Sequence, residues 1–239
     1  MSVRSPAEAA EALAGGADIV DVKNPAEGSL GAAPPAVLRR IRARVSPPAE
    51  LSAALGDAPH LPGTLALAAY GAALCGAEYV KVGVLGSRRP HDARDLLAGL
   101  RDGTIDIIAT DHAPHSERDK PDDLTRAAFG MIGLELALPL MLRLVARGEL
   151  TLLELIDVLS TRPAALFGLP GGTLRPGSPA DVVVFDPEAT WQVERATLAS
   201  RSCNTPLLGM ELHGRAVLTM VDGKVVYVDA DAVAWRAGP

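Results

Sequence analysis

The sequence is poor in several features on which whole classes of protein depend. It has only two cysteines, Cys75 and Cys203, and no C-x-x-C pair. Nothing therefore indicates a zinc knuckle or a dithiol redox site, and we expect both side chains to pack in the interior. The longest apolar stretch, from Leu65 to Ala77, is shorter than the roughly 20 residues that a membrane-spanning helix needs. No membrane partner is therefore expected.

Basic charge is also scarce. The 23 lysines and arginines are outnumbered by 29 aspartates and glutamates, which gives a net charge of -6. Without a basic stripe to displace phosphate counterions, a nucleic-acid partner is not expected, whereas a small anionic metabolite is compatible with the sequence. Glu8 and Glu11 occupy positions where a secretory signal would need apolar residues, so we expect a soluble protein of the cytoplasm.

Strand and helix patterns alternate through the first part of the chain, as in a parallel α/β protein. The strand segments are continuously apolar, which is typical of a sheet that is buried on both faces. Strands are predicted at 2–3, 17–22, 50–55, 78–85 and 105–111, and helices at 6–16, 35–45, 63–77, 91–103, 132–146 and 152–161. The last helix is expected to stop at Arg162-Pro163.

The pattern changes at Gly171, where strands become separated by turn pairs such as Asp222-Gly223. Such turns predict a small antiparallel β-region. The predicted fold class is therefore α/β, with a partial TIM barrel of βα units and parallel strands followed by this β-region. We divide the chain into 1–87, 88–170 and 171–239, and place the main boundary at Ser87 to Pro90.

Two lysines and an aspartate stand at predicted strand ends. Asp21 and Lys23 are two residues apart, so on a strand they point to the same side, and Lys81 lies near the end of a later strand. A lysine beside another cation in a partly dry site has a lowered pKa, and its neutral amine can form a Schiff base with a carbonyl while Asp21 shuttles protons. The alternative is that these lysines merely reach water at the surface.

The segments DVKNPAEGSLGA, LSAALGD and AEYVKVGVLG lie within residues 2–86 and resemble the first half of (5-formylfuran-3-yl)methyl phosphate synthase. That lyase has a TIM-barrel fold and condenses two molecules of glyceraldehyde 3-phosphate without a cofactor. The resemblance implies that Lys23 is the Schiff-base lysine, with Asp21 and Lys81 as active-site companions. It stops at Gly86, so the later strands of that barrel have no counterpart here.

A second cluster, Asp111, His112 and His115, follows the apolar segment 105–110. Metal-assisted hydrolysis of an amide needs ligands around one or two ions and a base for the attacking water. Asp111 could serve as that base or as a ligand, and the two histidines could bind metal or a substrate carboxylate. The alternative is a capped loop in which all three side chains only satisfy nearby backbone groups.

The segments DGTIDIIATDHAPHS, FGMIGLELALPL and SRSCNTPLLGMELHGRAVLTMVDGKVVY are similar to the C-terminal third of dihydroorotase, a cyclic-amide hydrolase of the amidohydrolase superfamily. The resemblance runs from residue 88 to 229. It implies that Asp111 is the catalytic aspartate and a zinc ligand on the last barrel strand. It also implies that His115 and the backbone at Ala113 hold the substrate carboxylate.

Two departures from that family stand out. Ala128 precedes Phe129 and Gly130, the further predicted substrate-binding residues, where the family usually has proline. No H-x-H pair occurs anywhere in the sequence, although the hydrolase holds its zinc with one. Asp111 alone makes an incomplete metal site, so we expect zinc to bind weakly or not at all.

Three functions therefore compete. The first, favoured because its match is longer, is a dihydroorotase-lineage cyclic amidohydrolase of pyrimidine biosynthesis with impaired hydrolysis of dihydroorotate. The second is a Schiff-base lyase acting on glyceraldehyde 3-phosphate, and the third is a non-catalytic product of fusion or misassembly. Because five predicted parallel strands are fewer than the eight that close a barrel, we also expect self-association through open edges.

Overall fold

The computed structural model describes residues 1–57, 61–83, 90–121, 123 and 126–229. The chain divides into two compact units, Met1–Asp95 and Leu96–Pro239. Among the described residues, no helix has the length and apolar character required to cross a membrane.

The first unit is built from alternating strands and helices. Among its described residues, four strands pair in the order β1-β2-β3-β4, and every pair is parallel. Val20, Val22 and Leu51 are fully buried, as expected for a parallel sheet covered on its faces. The elements are β1 Ser2–Val3, α1 Pro6–Ala14, β2 Ile19–Val22, α2 Pro35–Arg42, β3 Glu50–Ala54, α3 Pro62–Leu74 and β4 Tyr79–Lys81.

Local signals explain where these helices begin. The Ser5 side chain accepts a hydrogen bond from the Glu8 N–H, and Pro6 follows at the first helical position of α1. Pro35 and Pro62 likewise stand at the first helical positions of α2 and α3, which have no side-chain cap from the preceding residue. Each of these helices leads into the next strand, so the chain returns to the same edge of the sheet. Polar residues at the strand ends are therefore brought together.

The second unit combines helices with a small antiparallel sheet. Its strands pair in the order β5-β6-β7, and Asp222 and Gly223 form the predicted tight turn with φ of 49° and 73°. Positive φ at both turn residues matches the twist of the flanking strands. Helix α4, Pro90–Asp102, contains the boundary between the two units. The elements that follow it are α5 Leu134–Ala146, α6 Leu152–Ile156, α7 Arg162–Leu166, β5 Val182–Gln192, β6 Glu211–Val221 and β7 Lys224–Val228. The predicted α/β class is confirmed.

The predicted fifth parallel strand is absent from the described residues. A strand needs a neighbour that completes its hydrogen-bond ladder, and residues 105–110 have none. The Ile108 N–H instead donates to the Val158 carbonyl, and pairing is limited to an isolated bridge between His112 and Met131. The prediction that Asp111 ends a barrel strand was therefore wrong, as was the count of five.

The predicted helix stop at Arg162-Pro163 was also wrong. The helical path continues from α6 through a π-helical turn, Asp157–Thr161, into α7. Within that turn the Arg162 N–H donates to the Asp157 carbonyl five residues earlier. This wider turn accommodates a proline, which lacks an N–H and breaks a regular α-helix.

The remaining sequence predictions differ from the structure mainly at element ends. The strand predicted at 78–85 is short, Tyr79–Lys81, and residues 84–85 lie outside the described part. Most of the predicted boundary at 87–90 lies outside it as well, because the description resumes at Pro90. Both cysteines are free thiols that pack against apolar clusters, Cys75 in the first unit and Cys203 in the second.

Candidate functional site

The first candidate site surrounds Asp21, which is 8% exposed in β2. Its carboxylate receives three donors. The Lys81 Nζ lies 2.7 Å from Oδ2, the Ser2 hydroxyl donates to Oδ2 at 3.0 Å, and the Ser52 hydroxyl donates to Oδ1 at 3.0 Å. A buried carboxylate is costly unless it is paired and hydrogen-bonded, and these donors meet that requirement.

The strand register explains how this site forms. Ser2 of β1 pairs with Asp21, and Asp21 pairs with Ser52 of β3. Directly paired residues on parallel strands share a face, so the two hydroxyls flank the carboxylate in one row across the sheet. Lys81 is the last residue of β4 and reaches the same carboxylate from there. Neither serine was singled out from the sequence, although Ser2 and Ser52 interrupt otherwise apolar strand segments.

Lys23 takes a different position from Lys81. It directly follows β2 and is half-buried, and its backbone N–H donates to the Val3 carbonyl. Within the described part of the chain, its ammonium group forms neither a hydrogen bond nor an ion pair. The structure thus joins Asp21 to Lys81 and leaves Lys23 outside that ion pair.

Asp57 is a further acidic residue in this unit. It follows β3 in the segment LSAALGD, and its carboxylate packs on Gly83, just after β4. A Cβ atom added to Gly83 would lie 1.5 Å from Asp57 Oδ1, so a larger residue at this position would require the Asp57 side chain to move. The sequence signal, an acidic residue three positions after the end of a buried strand, was available and was overlooked.

The second candidate site is the loop that carries Asp111. Asp111 is exposed and has φ of 46°, a left-handed conformation that aspartate adopts more readily than most residues. Such backbone outliers cluster at functional sites, although they are not evidence of function alone. Within the described residues, no hydrogen bond or ion pair to the Asp111 carboxylate is present.

His112 has a structural task in this loop. Its Nδ1 accepts hydrogen bonds from the N–H groups of Gly133 and Leu134, at 3.0 and 3.2 Å. These donors lie at the N-terminus of α5, where the first N–H groups of a helix have no partner within the helix. The imidazole therefore caps α5. Its Nδ1 lone pair accepts these two N–H groups and so cannot bind a metal ion.

His115 is held by its backbone and its ring. Its N–H donates to Asn204 Oδ1 at 3.1 Å, and its Nε2 lies 2.8 Å from the Phe129 carbonyl oxygen. A carbonyl only accepts, so Nε2 carries the proton in this contact. Nearby, a hydrogen bond from the Ser116 hydroxyl holds the pKa of Asp119 below its ordinary value.

The other predicted substrate-binding residues lie in the same loop cluster. The Ala113 N–H donates to the Met131 carbonyl at 2.9 Å and is therefore already paired within the protein. Phe129 is exposed, and Gly130 has φ of 112°. A Cβ atom added to Gly130 would lie 2.6 Å from the Ala113 Cβ, so glycine lets these two loop segments approach closely.

Asn204 holds the cluster together, and the sequence reasoning missed it. Its Nδ2 donates to the Ala113 carbonyl at 3.0 Å and to the Gly130 carbonyl at 3.2 Å. Its Oδ1 accepts from the His115 N–H and, at 2.6 Å, from the Ser202 hydroxyl. One amide side chain thus joins three chain segments that are far apart in sequence, which no local pattern could have revealed.

The loop residues do not fit the zinc centre that the hydrolase resemblance implies. The described residues contain no group of three or more histidine, cysteine, aspartate or glutamate side chains placed to hold a metal ion. Zinc sites use at least three protein ligands. Because the His112 Nδ1 lone pair is engaged in the fold, Asp111 and the Nδ1 of His115 remain in this loop as candidate ligands, which is fewer than a zinc site needs.

Comparison with known proteins shows two origins for the sequence. A family model for 4-HFC-P synthase matches residues 1–112, and the amidohydrolase family model matches residues 61–226. The hybrid character predicted from the sequence is therefore confirmed. The matches overlap over 61–112, the part of the chain that contains α3, β4 and α4.

Curated relatives match the second part of the chain. Dihydroorotase of Brevibacillus brevis is 49% identical over 141 residues, which are 59% of this chain and 33% of the relative. Dihydroorotase of Geobacter metallireducens is 50% identical over 140 residues, with the same coverage. The chain spans about a third of the length of the curated relatives it matches.

Solved structures support the fold over more of the chain. D-hydantoinase from Bacillus sp. AR9 superposes with a TM-score of 0.68 at 18% identity, covering 95% of this chain and 70% of that one. L-hydantoinase from Arthrobacter aurescens gives a TM-score of 0.62 at 24% identity, covering 92% and 59%. With a family model that matches most of its length and dihydroorotases as curated relatives, the chain belongs to the amidohydrolase family, in its cyclic amidohydrolase lineage.

Proposed function

We propose that this chain is a dihydroorotase-type amidohydrolase by descent that hydrolyses dihydroorotate weakly or not at all. The observation that carries the proposal is that, among the described residues, Asp111 belongs to no group of three or more side chains that could hold a metal ion. The loop around it keeps the residue types of the family, but His112 caps α5 and His115 binds the Phe129 carbonyl. Without a metal centre, neither the attacking water nor the amide carbonyl is activated.

The test combines metal analysis with kinetics on the full chain. We expect well under one zinc ion per chain after incubation with zinc and dialysis. We also expect dihydroorotate hydrolysis near the uncatalysed rate, unchanged in Asp111→Ala. Asp106→Ala, in the same irregular segment, is the matched control. Stoichiometric zinc, together with hydrolysis that is lost in Asp111→Ala and kept in Asp106→Ala, would contradict the proposal.

A second candidate function is favoured by the arrangement of the two lysines. We propose that the first unit carries out amine–carbonyl chemistry at Lys23. Lys81 is neutralised by the buried Asp21 carboxylate, whereas Lys23 has no such partner among the described residues. A Schiff base requires one reactive amine and no metal, so this chemistry is less demanding than metal-assisted hydrolysis.

The reaction proposed at Lys23 balances without any further reagent. The amine nitrogen attacks the aldehyde carbon of glyceraldehyde 3-phosphate to give a carbinolamine, and the oxygen takes up a proton. The carbon–oxygen bond then breaks, water leaves, and an imine joins Lys23 to the substrate. Asp21, two residues before Lys23 and paired with Lys81, is the group proposed to exchange these protons.

Borohydride trapping tests this candidate. Hydride reduces the imine to a stable secondary amine, and peptide mapping then locates the label. We expect labelling concentrated on Lys23, and its loss in Lys23→Arg, which keeps the positive charge but supplies no nucleophilic amine. Lys120→Arg in the second unit is the control. Labels spread evenly over surface lysines, or unchanged in Lys23→Arg, would rule the candidate out.

A further inference from the structure

The most complete polar arrangement in the first unit is the set of donors around Asp21. Ser52 is 5% exposed and Asp21 is 8% exposed, so water has little access to their contact. The serine hydroxyls occupy separate carboxylate oxygens, Ser52 on Oδ1 and Ser2 on Oδ2. With both oxygens bound, the orientation of the carboxylate is fixed relative to the sheet.

That orientation decides which lysine the carboxylate neutralises. Oδ2 faces Lys81, with the ammonium nitrogen at 2.7 Å, and the Lys81 side chain is 38% exposed. Both lysines lie at strand ends, Lys81 as the last residue of β4 and Lys23 directly after β2. Lys23 follows Asp21 by two residues, the spacing that places side chains on one side of a strand, so a carboxylate free to rotate could turn from one lysine towards the other, whereas a fixed one selects a single partner.

We infer that Ser52 and Ser2 are positioning residues that hold Asp21 on Lys81 and so leave Lys23 as the uncompensated amine of the site. This inference rests on the proposed amine–carbonyl chemistry, which it deepens by explaining why two lysines of one unit differ in role. The serines act through Asp21 and do not touch the substrate. Removal of either hydroxyl frees one carboxylate oxygen and weakens the preference for Lys81.

The two lysines should then change reactivity in opposite directions. In Ser52→Ala the ion pair with Lys81 loosens, so an amine-reactive reagent modifies Lys81 faster. The freed carboxylate spends part of its time near Lys23, so Lys23 is modified more slowly. We expect the ratio of Lys81 to Lys23 labelling to rise roughly fivefold, the factor that corresponds to one hydrogen bond of about 1 kcal/mol.

Trace labelling of the full chain with acetic anhydride, read by peptide mass spectrometry, measures this ratio directly. Ser2→Ala is a second variant, at an exposed residue of edge strand β1. Ser46→Ala, at an exposed serine outside the site, is the matched control. A raised ratio in both site variants, with the control at the wild-type value, supports the inference.

Two outcomes would overturn it. An unchanged ratio, with both lysines labelled at the wild-type rate, would show that the hydroxyls do not direct the carboxylate. A parallel rise at both lysines would show that the serines only maintain the fold, because general loosening exposes every amine. Borohydride trapping with glyceraldehyde 3-phosphate is run beside the labelling. If wild-type Lys23 is not trapped, the amine–carbonyl proposal fails, while the acetylation ratio still decides the positioning role.

Discussion

Replacement of Asn204 by alanine should loosen the loop cluster that carries the dihydroorotase-like residues. The substitution removes four hydrogen bonds, to the His115 N–H, the Ser202 hydroxyl and the carbonyls of Ala113 and Gly130. A typical hydrogen bond contributes about 0.5–1.5 kcal/mol net. The site is half-buried, so water replaces part of the loss, and we expect the free energy of unfolding to fall by about 2–4 kcal/mol.

A second substitution separates hydrogen bonding from side-chain volume. Asn204→Asp has nearly the same shape and keeps an acceptor for the His115 N–H. It replaces the Nδ2 donor with an oxygen facing the carbonyls of Ala113 and Gly130, which repels them. We therefore expect Asn204→Asp to be at least as destabilising as Asn204→Ala, an order that a volume effect alone would reverse.

Urea unfolding followed by circular dichroism gives the free energies, and hydrogen exchange of residues 111–116 reports the loop itself. Gln192→Ala is the control, because Gln192 makes one exposed hydrogen bond to the Gly209 carbonyl. It should cost less than about 1 kcal/mol and leave exchange in 111–116 unchanged. If Asn204→Ala unfolds like the wild type and its loop exchanges no faster, the central role assigned to this side chain is wrong.

Three further predictions follow from single features of the structure. Gly130→Ala should destabilise the second unit by about 1–3 kcal/mol, because the backbone at Gly130 has φ of 112° and the added Cβ would lie 2.6 Å from the Ala113 Cβ. Gly103→Ala, with open space around its Cβ, should reduce the free energy of urea unfolding by less. Hydrogen bonding to Thr151 lowers the pKa of Glu154 below its ordinary value of 4.5. The ionised Glu154 carboxylate therefore stabilises the start of α6 fully above that pH, and this stabilisation is lost as the pH falls through the lowered pKa. Hydrogen exchange at the start of α6 should show this loss in the wild type and not in Glu154→Gln. The chain should self-associate, since all five residues of edge strand β7 are exposed, and a concentration-independent monomer mass in light scattering would refute this.

Much of the candidate site could be predicted from sequence where the signal was local. Asp21 and Lys81 were expected at strand ends on one side of a parallel sheet, and the structure brings them to 2.7 Å. That inference needed only the two-residue period of a strand and the shared direction of parallel strands. Lys23 follows the same strand, but whether it would join the ion pair depended on the orientation of one carboxylate.

Residues that act across long sequence distances were missed for a physical reason. Ser52 is 31 positions from Asp21 and Asn204 is 89 positions from His115, so neither leaves a periodic pattern around its partner. The fifth strand was overpredicted for a related reason. Apolar residues at 105–110 satisfy the local pattern of a buried strand, but a strand exists only if a neighbour pairs with it.

The sequence by itself determined the alternation of helices and strands, the tight turn at Asp222-Gly223, and the two family origins of the chain, because each depends on residues close together in sequence. The tertiary structure alone decided which lysine Asp21 neutralises and that His112 caps a helix. It also decided that, among the described residues, no three metal-ligating side chains gather at Asp111. These outcomes depend on which side chains meet after folding, and hydrogen bonds and ion pairs act only over a few ångströms between groups that the fold has brought together.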